Sequence, residues 1–174
     1  MDKRCFVSID LPEEIKDHLG RLAKPDIYWI KWMRPKNFHI TLNFLGDIKP
    51  SRIAEAKKVL AEVAPLYKPF PLKLDRVETA RDMLWLMPEA SESLIALQDE
   101  LKDKLKGARL GKRERRSYVP HIMLAKSKTG RNMKPVIENF VPQEFTVDRI
   151  NLYESELTPG SATHRLIQSF PLNQ

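Results

Sequence analysis

The chain has 174 residues, 42% of them hydrophobic and 30% charged, with a formal net charge of +7. That length allows one core or two tightly joined lobes, and no stretch approaches the ~20 apolar residues of a membrane span. The single cysteine, Cys5, excludes an intrachain disulfide; with an opening Met1-Asp2-Lys3-Arg4 that lacks signal-peptide character, a cytoplasmic location is expected.

In chain order, Arg4 to Leu11 reads as a buried strand, with Cys5 as a core filler. Leu11-Pro12-Glu13-Glu14 then starts a helix running to about Ala23, with proline in its first turn and acids at its positive end. His18 in that helix lies among charged residues and reads as solvated. Ile27 to Met33 is a short aromatic strand, and Phe38 to Leu45 another, closed by Gly46-Asp47. Pro50 to Leu66 is an amphipathic helix with Ile53, Ala56, Val59, Leu60 and Val63 on one stripe. Phe70–Thr79 and Met83–Met87 pair as a hairpin. Ser91 to Lys106 is a helix capped by Ser91, with Leu94, Leu97, Leu101 and Leu105 inward. Tyr118 to Ala125 is a strand, Pro135 to Phe140 a short helix, and Phe145–Ser155 and Arg165–Leu172 the last strands. The fold class is therefore α+β, with helices covering antiparallel or mixed sheet in residues 1–174 taken as one domain.

An internal echo carries the chemistry. His39-Ile40-Thr41-Leu42 and His121-Ile122-Met123-Leu124 are near copies, about half the chain apart. The echo suggests two similar lobes, each giving one strand to a shared cleft. Strand side chains alternate faces, so His39 shares a face with Thr41, and His121 with Met123. A single strand histidine is more often structural than catalytic; the repetition favours a pair. Two imidazoles facing across a gap suit cyclic-phosphate hydrolysis: one takes a proton from water and the other gives one to the departing ribose oxygen. A hydroxyl two residues on can donate to the phosphate as charge builds there. Four histidines without partner cysteines or HExxH spacing match no zinc motif, and no metal or cofactor is expected.

The longer motifs identify a family. Pro35 to Gly46 (Pro-Lys-Asn-Phe-His-Ile-Thr-Leu-Asn-Phe-Leu-Gly) and Tyr118 to Lys126 (Tyr-Val-Pro-His-Ile-Met-Leu-Ala-Lys) resemble the two motifs of the RNA 2′,3′-cyclic phosphodiesterase, or 2′-5′ RNA ligase-like, family of the two-histidine (2H) phosphoesterases. The opening Arg4–Pro12 and the closing Glu154–Pro159 resemble it too. The resemblance implies a bilobal fold with a central cleft between pseudo-symmetric lobes. It implies hydrolysis of terminal 2′,3′-cyclic phosphates to 2′-phosphates, and a weak reversible 2′-5′ ligation. By its pattern His39 protonates the leaving 3′ oxygen, His121 activates water and Thr41 holds the phosphate. RNA ends or cyclic nucleotides would be the partners of a monomer that uses neither metal nor membrane.

The chain departs from this pattern. Met123 stands where the family has Thr or Ser, and a thioether donates no hydrogen bond, so Met123 can offer only its backbone. Lys126 stands where arginine is frequent and is the nearest substitute. If nothing replaces the donor, Met123→Thr should raise turnover. His164 falls where a tyrosine is usual and reads as an exposed residue at a strand start. Tyr118 and Phe44 flank the motifs as candidate base-stacking aromatics, core packing being the reading adopted for Phe44. Trp29, Trp32 and Trp85 read as core or cleft wall. The run Lys112-Arg113-Glu114-Arg115-Arg116 is the densest charge, and Arg115 and Arg116 are candidates for flanking RNA phosphates. The alternative is a 2H-like module that binds RNA or nucleotides with little turnover, which Met123 favours and the paired histidines oppose.

Overall fold

The structure, a computed structural model, describes residues 1–111 and 115–174. Nine strands and three α-helices follow as β1 (Lys3–Asp10), α1 (Glu13–Gly20), β2 (Ile30–Trp32), β3 (His39–Ile48), α2 (Ile53–Val63), β4 (Phe70–Ala80), β5 (Met83–Pro88), α3 (Glu92–Gly107), β6 (Ile122–Ser127), β7 (Gln143–Val147), β8 (Arg149–Thr158) and β9 (Ser161–Pro171) among the described residues. They form two sheets, one in the order β3-β1-β8-β9 and one in the order β2-β6-β5-β4-β7. Neighbouring strands are antiparallel throughout, so the α+β expectation holds and its mixed-sheet option drops out. The chain crosses between the sheets repeatedly: β2 joins the second sheet between β1 and β3, and β8 and β9 return to the first.

Alternation along β1 decides what each face of the first sheet does. Cys5, Val7 and Ile9 are buried in the common core. Phe6, Ser8 and Asp10 point the other way, opposite Phe44, Thr41 and His39 of β3. On the far side Phe6 lies opposite Tyr153 of β8. This second face therefore carries the aromatic and polar side chains.

Helices cover the core faces. On α2, Ala56, Val59, Leu60 and Val63 are buried; on α3, Leu94, Leu97, Leu101 and Leu105 are. Ser91 caps α3 as expected, its Oγ accepting from the Leu94 amide at 3.2 Å. The other end of α3 closes with Leu110 N–H on the Leu105 carbonyl at 2.8 Å, around Arg109 at φ 55°. The Arg52 guanidinium donates to the Ala108 and Arg109 carbonyls there, tying α2 to α3.

Several expectations are corrected. The first helix ends at Gly20 rather than near Ala23, and Pro12 precedes it as the cap residue. A Cβ on Gly20 would lie 2.7 Å from Pro35 Cγ, so a side chain at this position would push into the turn that precedes His39. The strand from Ile27 shrinks to Ile30–Trp32. β3 runs past Gly46 to Ile48, because Gly46 adopts φ 74° and absorbs a bulge opposite Cys5. Strand β6 begins at Ile122, after Pro120, which has no amide to give a ladder. Residues 135–140 form no helix: Pro135 and Pro142 bracket a stretch that packs Val136, Ile137 and Phe140 on the core. The segment from Phe145 to Ser155 is two strands in different sheets, divided at Asp148. His18 is half-buried rather than solvated, with its Nε2 enclosed without a partner. No described helix is long and apolar enough to cross a membrane.

Candidate active site

His39 opens β3, two residues after a 3-10 turn at Pro35–Asn37. Its Nδ1 donates to the Asn37 carbonyl at 2.7 Å, and Thr41 Oγ1 lies 3.0 Å from its Nε2. With the Nδ1 proton committed to a carbonyl, Nε2 carries the lone pair and the Thr41 hydroxyl donates to it. The alternation read from the sequence puts Thr41 where its hydroxyl reaches the His39 Nε2. His121 sits just before β6 and repeats the arrangement: its Nδ1 donates to the Val119 carbonyl at 2.8 Å. In both motifs the carbonyl two residues back fixes the tautomer, and Nε2 is the nitrogen left for chemistry.

The two imidazoles differ in what packs on them. Trp85 of β5 stacks on His121 with ring centroids 3.8 Å apart and planes at 16°. Phe6 and His164 surround His39, at centroid distances of 5.0 and 5.4 Å. Burial pushes the His39 pKa down from 6.5 to about 4, the nearby His164 and His121 pushing the same way while its Asn37 bond and Asp10 oppose them. Burial also lowers His121, against its Val119 bond. Strands β3 and β6, from the two different sheets, contact each other, which brings the two motifs together. At neutral pH both are uncharged in the empty site.

The remaining sequence candidates differ in their surroundings. Tyr118 is half-buried and donates its hydroxyl to the Thr41 carbonyl at 2.8 Å, tying the segment before His121 to β3. Burial pushes its phenol well up from 10. Met123 lies directly across from Trp85. Lys126 is exposed, its Nζ 3.7 Å from an Asp82 oxygen at the β4–β5 turn. Arg115 and Arg116 are exposed on the segment leading to Tyr118; Lys112, Arg113 and Glu114 of the same run lie outside the described residues. Phe44 corrects its core assignment: it is 46% exposed, its ring 6.3 Å from Phe6 on the aromatic face of the first sheet. Trp29 and Trp32 pack part-buried against the core as expected, Trp29 under the Arg131 guanidinium.

Sequence reasoning set aside His164 and did not weigh Phe6, Asp10 or Tyr153. His164 is half-buried, not exposed: its ring meets His39 edge-on at 88° and Phe6 at 77°. Phe6 is 3% exposed and stacks on Tyr153 at 5.5 Å. The Tyr153 hydroxyl in turn donates to Asp10 at 2.5 Å. A cavity of about 250 Å³ opens beside His39, with Phe6, Asp10, Lys36, Asn37, Tyr153 and His164 in its wall. The strand pairing accounts for this: His164 falls opposite Ser155, two residues along β8 from Tyr153, and so shares the Phe6 face. Two donations bridge the β8–β9 hairpin tip to the cleft, from Asn37 Nδ2 to the Ala162 carbonyl at 3.0 Å and from Lys31 Nζ to the Gly160 carbonyl. Among the described residues no three His, Cys, Asp or Glu side chains cluster as metal ligands would.

A family model of the 2′-5′ RNA ligase superfamily matches residues 12–159. A Bacillus subtilis protein named RNA 2′,3′-cyclic phosphodiesterase is 30% identical over 161 residues, covering 87% of each chain. A protein of the same name from Methanothermobacter thermautotrophicus is 27% identical over 99% of this chain and 100% of its own. Among solved structures, E. coli LigT complexed with 3′-AMP superposes with a TM-score of 0.77 at 24% identity over the whole of both chains. LigT in its apo form gives a TM-score of 0.80 at 21% identity, covering 100% of this chain and 99% of its own. At that identity the structural likeness establishes the two-sheet 2H phosphoesterase fold.

Proposed function

The chain belongs to the 2′-5′ RNA ligase superfamily, and from that premise we propose that it hydrolyses RNA terminal 2′,3′-cyclic phosphates to 2′-phosphates, with His39 and His121 as its acid–base pair. The observation that carries the reading is the matched anchoring of the two imidazoles. Each commits Nδ1 to the carbonyl two residues back, leaving two Nε2 atoms for one phosphate. The curated relatives of similar sequence bear the name of a cyclic phosphodiesterase, so the binding-only alternative is not favoured.

The chemistry follows from those two atoms. His121 Nε2 takes a proton from water as the water oxygen bonds to phosphorus. The P–O3′ bond breaks on the opposite side, and the departing oxygen takes the proton held on His39 Nε2. The 2′-phosphate remains on the ribose, and proton exchange with solvent resets both rings. The cavity beside His39 leaves room for the nucleoside on the leaving-oxygen side, which supports His39 as the acid. When His39 carries its second proton, Thr41 Oγ1 no longer donates to it and can turn its hydrogen to a non-bridging oxygen. Exposed Arg115 and Arg116 would meet backbone phosphates further along the RNA.

The reacting state needs His39 protonated and His121 neutral, although burial disfavours the charged form of both. A cation on His39 is scarce in the empty site above its pKa of about 4, and the anionic substrate favours it. The expected kcat/KM profile therefore turns down from a point below pH 6.5, falling about tenfold per pH unit, and the kcat profile lies at higher pH. A kcat/KM flat from pH 6 to 9 would count against the assignment. The direct test of the reaction is a short RNA ending in a 2′,3′-cyclic phosphate, incubated in excess EDTA beside the same RNA ending in a linear 3′-phosphate. Opening of the cyclic end alone is expected; an inert cyclic end contradicts the proposal.

A further inference from the structure

We propose that His164 supplies the phosphate hydrogen bond that Met123 cannot. The inference rests on the reading of the cleft as a cyclic-phosphate site. Among the described residues, the neighbours of the second motif do not make good the lost hydroxyl. Trp85, the residue opposite Met123, lies flat on His121, and its Nε1 is enclosed with no partner. The Lys126 ammonium is drawn towards Asp82.

The first sheet offers what the second lacks. His164 stands edge-on to His39 with ring centroids 5.4 Å apart, and both rings line the same cavity. Of its two nitrogens, Nδ1 is shut in without a partner. A buried N–H lacking an acceptor is harder to accommodate than a buried lone pair, so the neutral ring carries its proton on Nε2. Burial and the nearby Lys36 charge both disfavour the imidazolium, with Asp10 opposing them. His164 thus acts as a neutral one-proton donor, the same hydrogen-bonding currency as a threonine hydroxyl. The phosphate is then held mainly from the His39 side, by Thr41 and His164, while His121 under Trp85 is left to activate water.

The consequence is a coupling between two residues on different sheets. In the wild type Met123→Thr adds a donor where one is already provided, so its gain is small. His164→Phe should lower kcat/KM on 2′,3′-cyclic CMP by about 10²-fold, the loss of one oxyanion donor. Met123→Thr placed in that background should recover at least about tenfold of the loss, and His164→Gln, which keeps an N–H donor, should retain most of the activity. The affinity of each variant for a nucleoside 2′-monophosphate, measured by calorimetry, should follow the same order. A His164→Phe protein within about threefold of wild type overturns the proposal, and so does a Met123→Thr effect equal in both backgrounds. Should the wild type not open the cyclic phosphate, the proposed reaction fails by itself. The 2′-monophosphate titration then decides His164: weaker binding in His164→Phe supports it, unchanged binding removes it.

Discussion

His39→Ala and His121→Ala are each expected to lower kcat by roughly 10²–10⁴-fold while the far-UV circular dichroism stays that of the wild type. Neither ring is a keystone of the core: both stand at strand starts on the cleft side, while the core beneath is built by Ile40, Leu42, Ile122 and Leu124. What each substitution removes is the proton transfer at one Nε2, worth about 2.7–5.5 kcal/mol of transition-state stabilisation for that range of rates. The two variants should differ in how they are rescued. A substrate whose leaving oxygen needs no proton should restore His39→Ala and leave His121→Ala inactive. Rescue of His121→Ala alone would exchange the two roles. Substantial activity of either variant on the natural cyclic ester would sink the paired mechanism.

Phe6→Ala should destabilise the protein by about 3–5 kcal/mol in urea unfolding and reduce activity in the surviving folded fraction. Phe6 is 3% exposed, yet it lies on the cleft face of β1, away from Cys5, Val7 and Ile9. It is buried by the site itself: Tyr153 stacks on it, and His39 and His164 close on it at 5.0 Å each. Removing the ring leaves a cavity directly under His39 and frees it and His164 to move. Phe6→Leu keeps much of the volume and should cost less in stability, but it lacks the flat surface that orients three rings. A Phe6→Ala variant less than about 1 kcal/mol weaker than wild type, with unchanged kcat, would mean that the rings hold their places without it.

The two His-Ile-x-Leu segments were readable because a period of two is a strong constraint. From His39 alone it followed that Thr41 shares its face and that Ile40 and Leu42 do not, and the structure agrees. The helix α3 was equally plain, its serine cap and leucine stripe being local signals. Phe44 was misread because the alternation breaks. The register of β3 against β1 slips between Val7 and Ser8, and this turns Phe44 to the side of Phe6. That bulge leaves no mark in residue type, whereas the one at Gly46 does, and there the glycine was read as the end of the strand. The join at Asp148 did leave a mark that was read over: Phe145 and Val147 bury into one sheet and Ile150 and Leu152 into the other, and the apolar spacing slips by one residue at Asp148-Arg149. His164 was out of reach because the rings that enclose it, Phe6 of β1 and His39 of β3, lie far away in the chain. Nothing among its neighbours, Thr163 and Arg165, separates a cleft strand from a solvated one.

The central claim is that two histidines, one from each sheet, work on one phosphate. It is tested most directly by phosphorus NMR on a short RNA bearing a 2′,3′-cyclic phosphate, in excess EDTA, with wild type, His39→Ala and His121→Ala side by side. The account predicts conversion to a 2′-phosphate by the wild type and a persistent cyclic signal with both variants. A 3′-phosphate product, conversion by either variant at the wild-type rate, or no conversion by the wild type would contradict it.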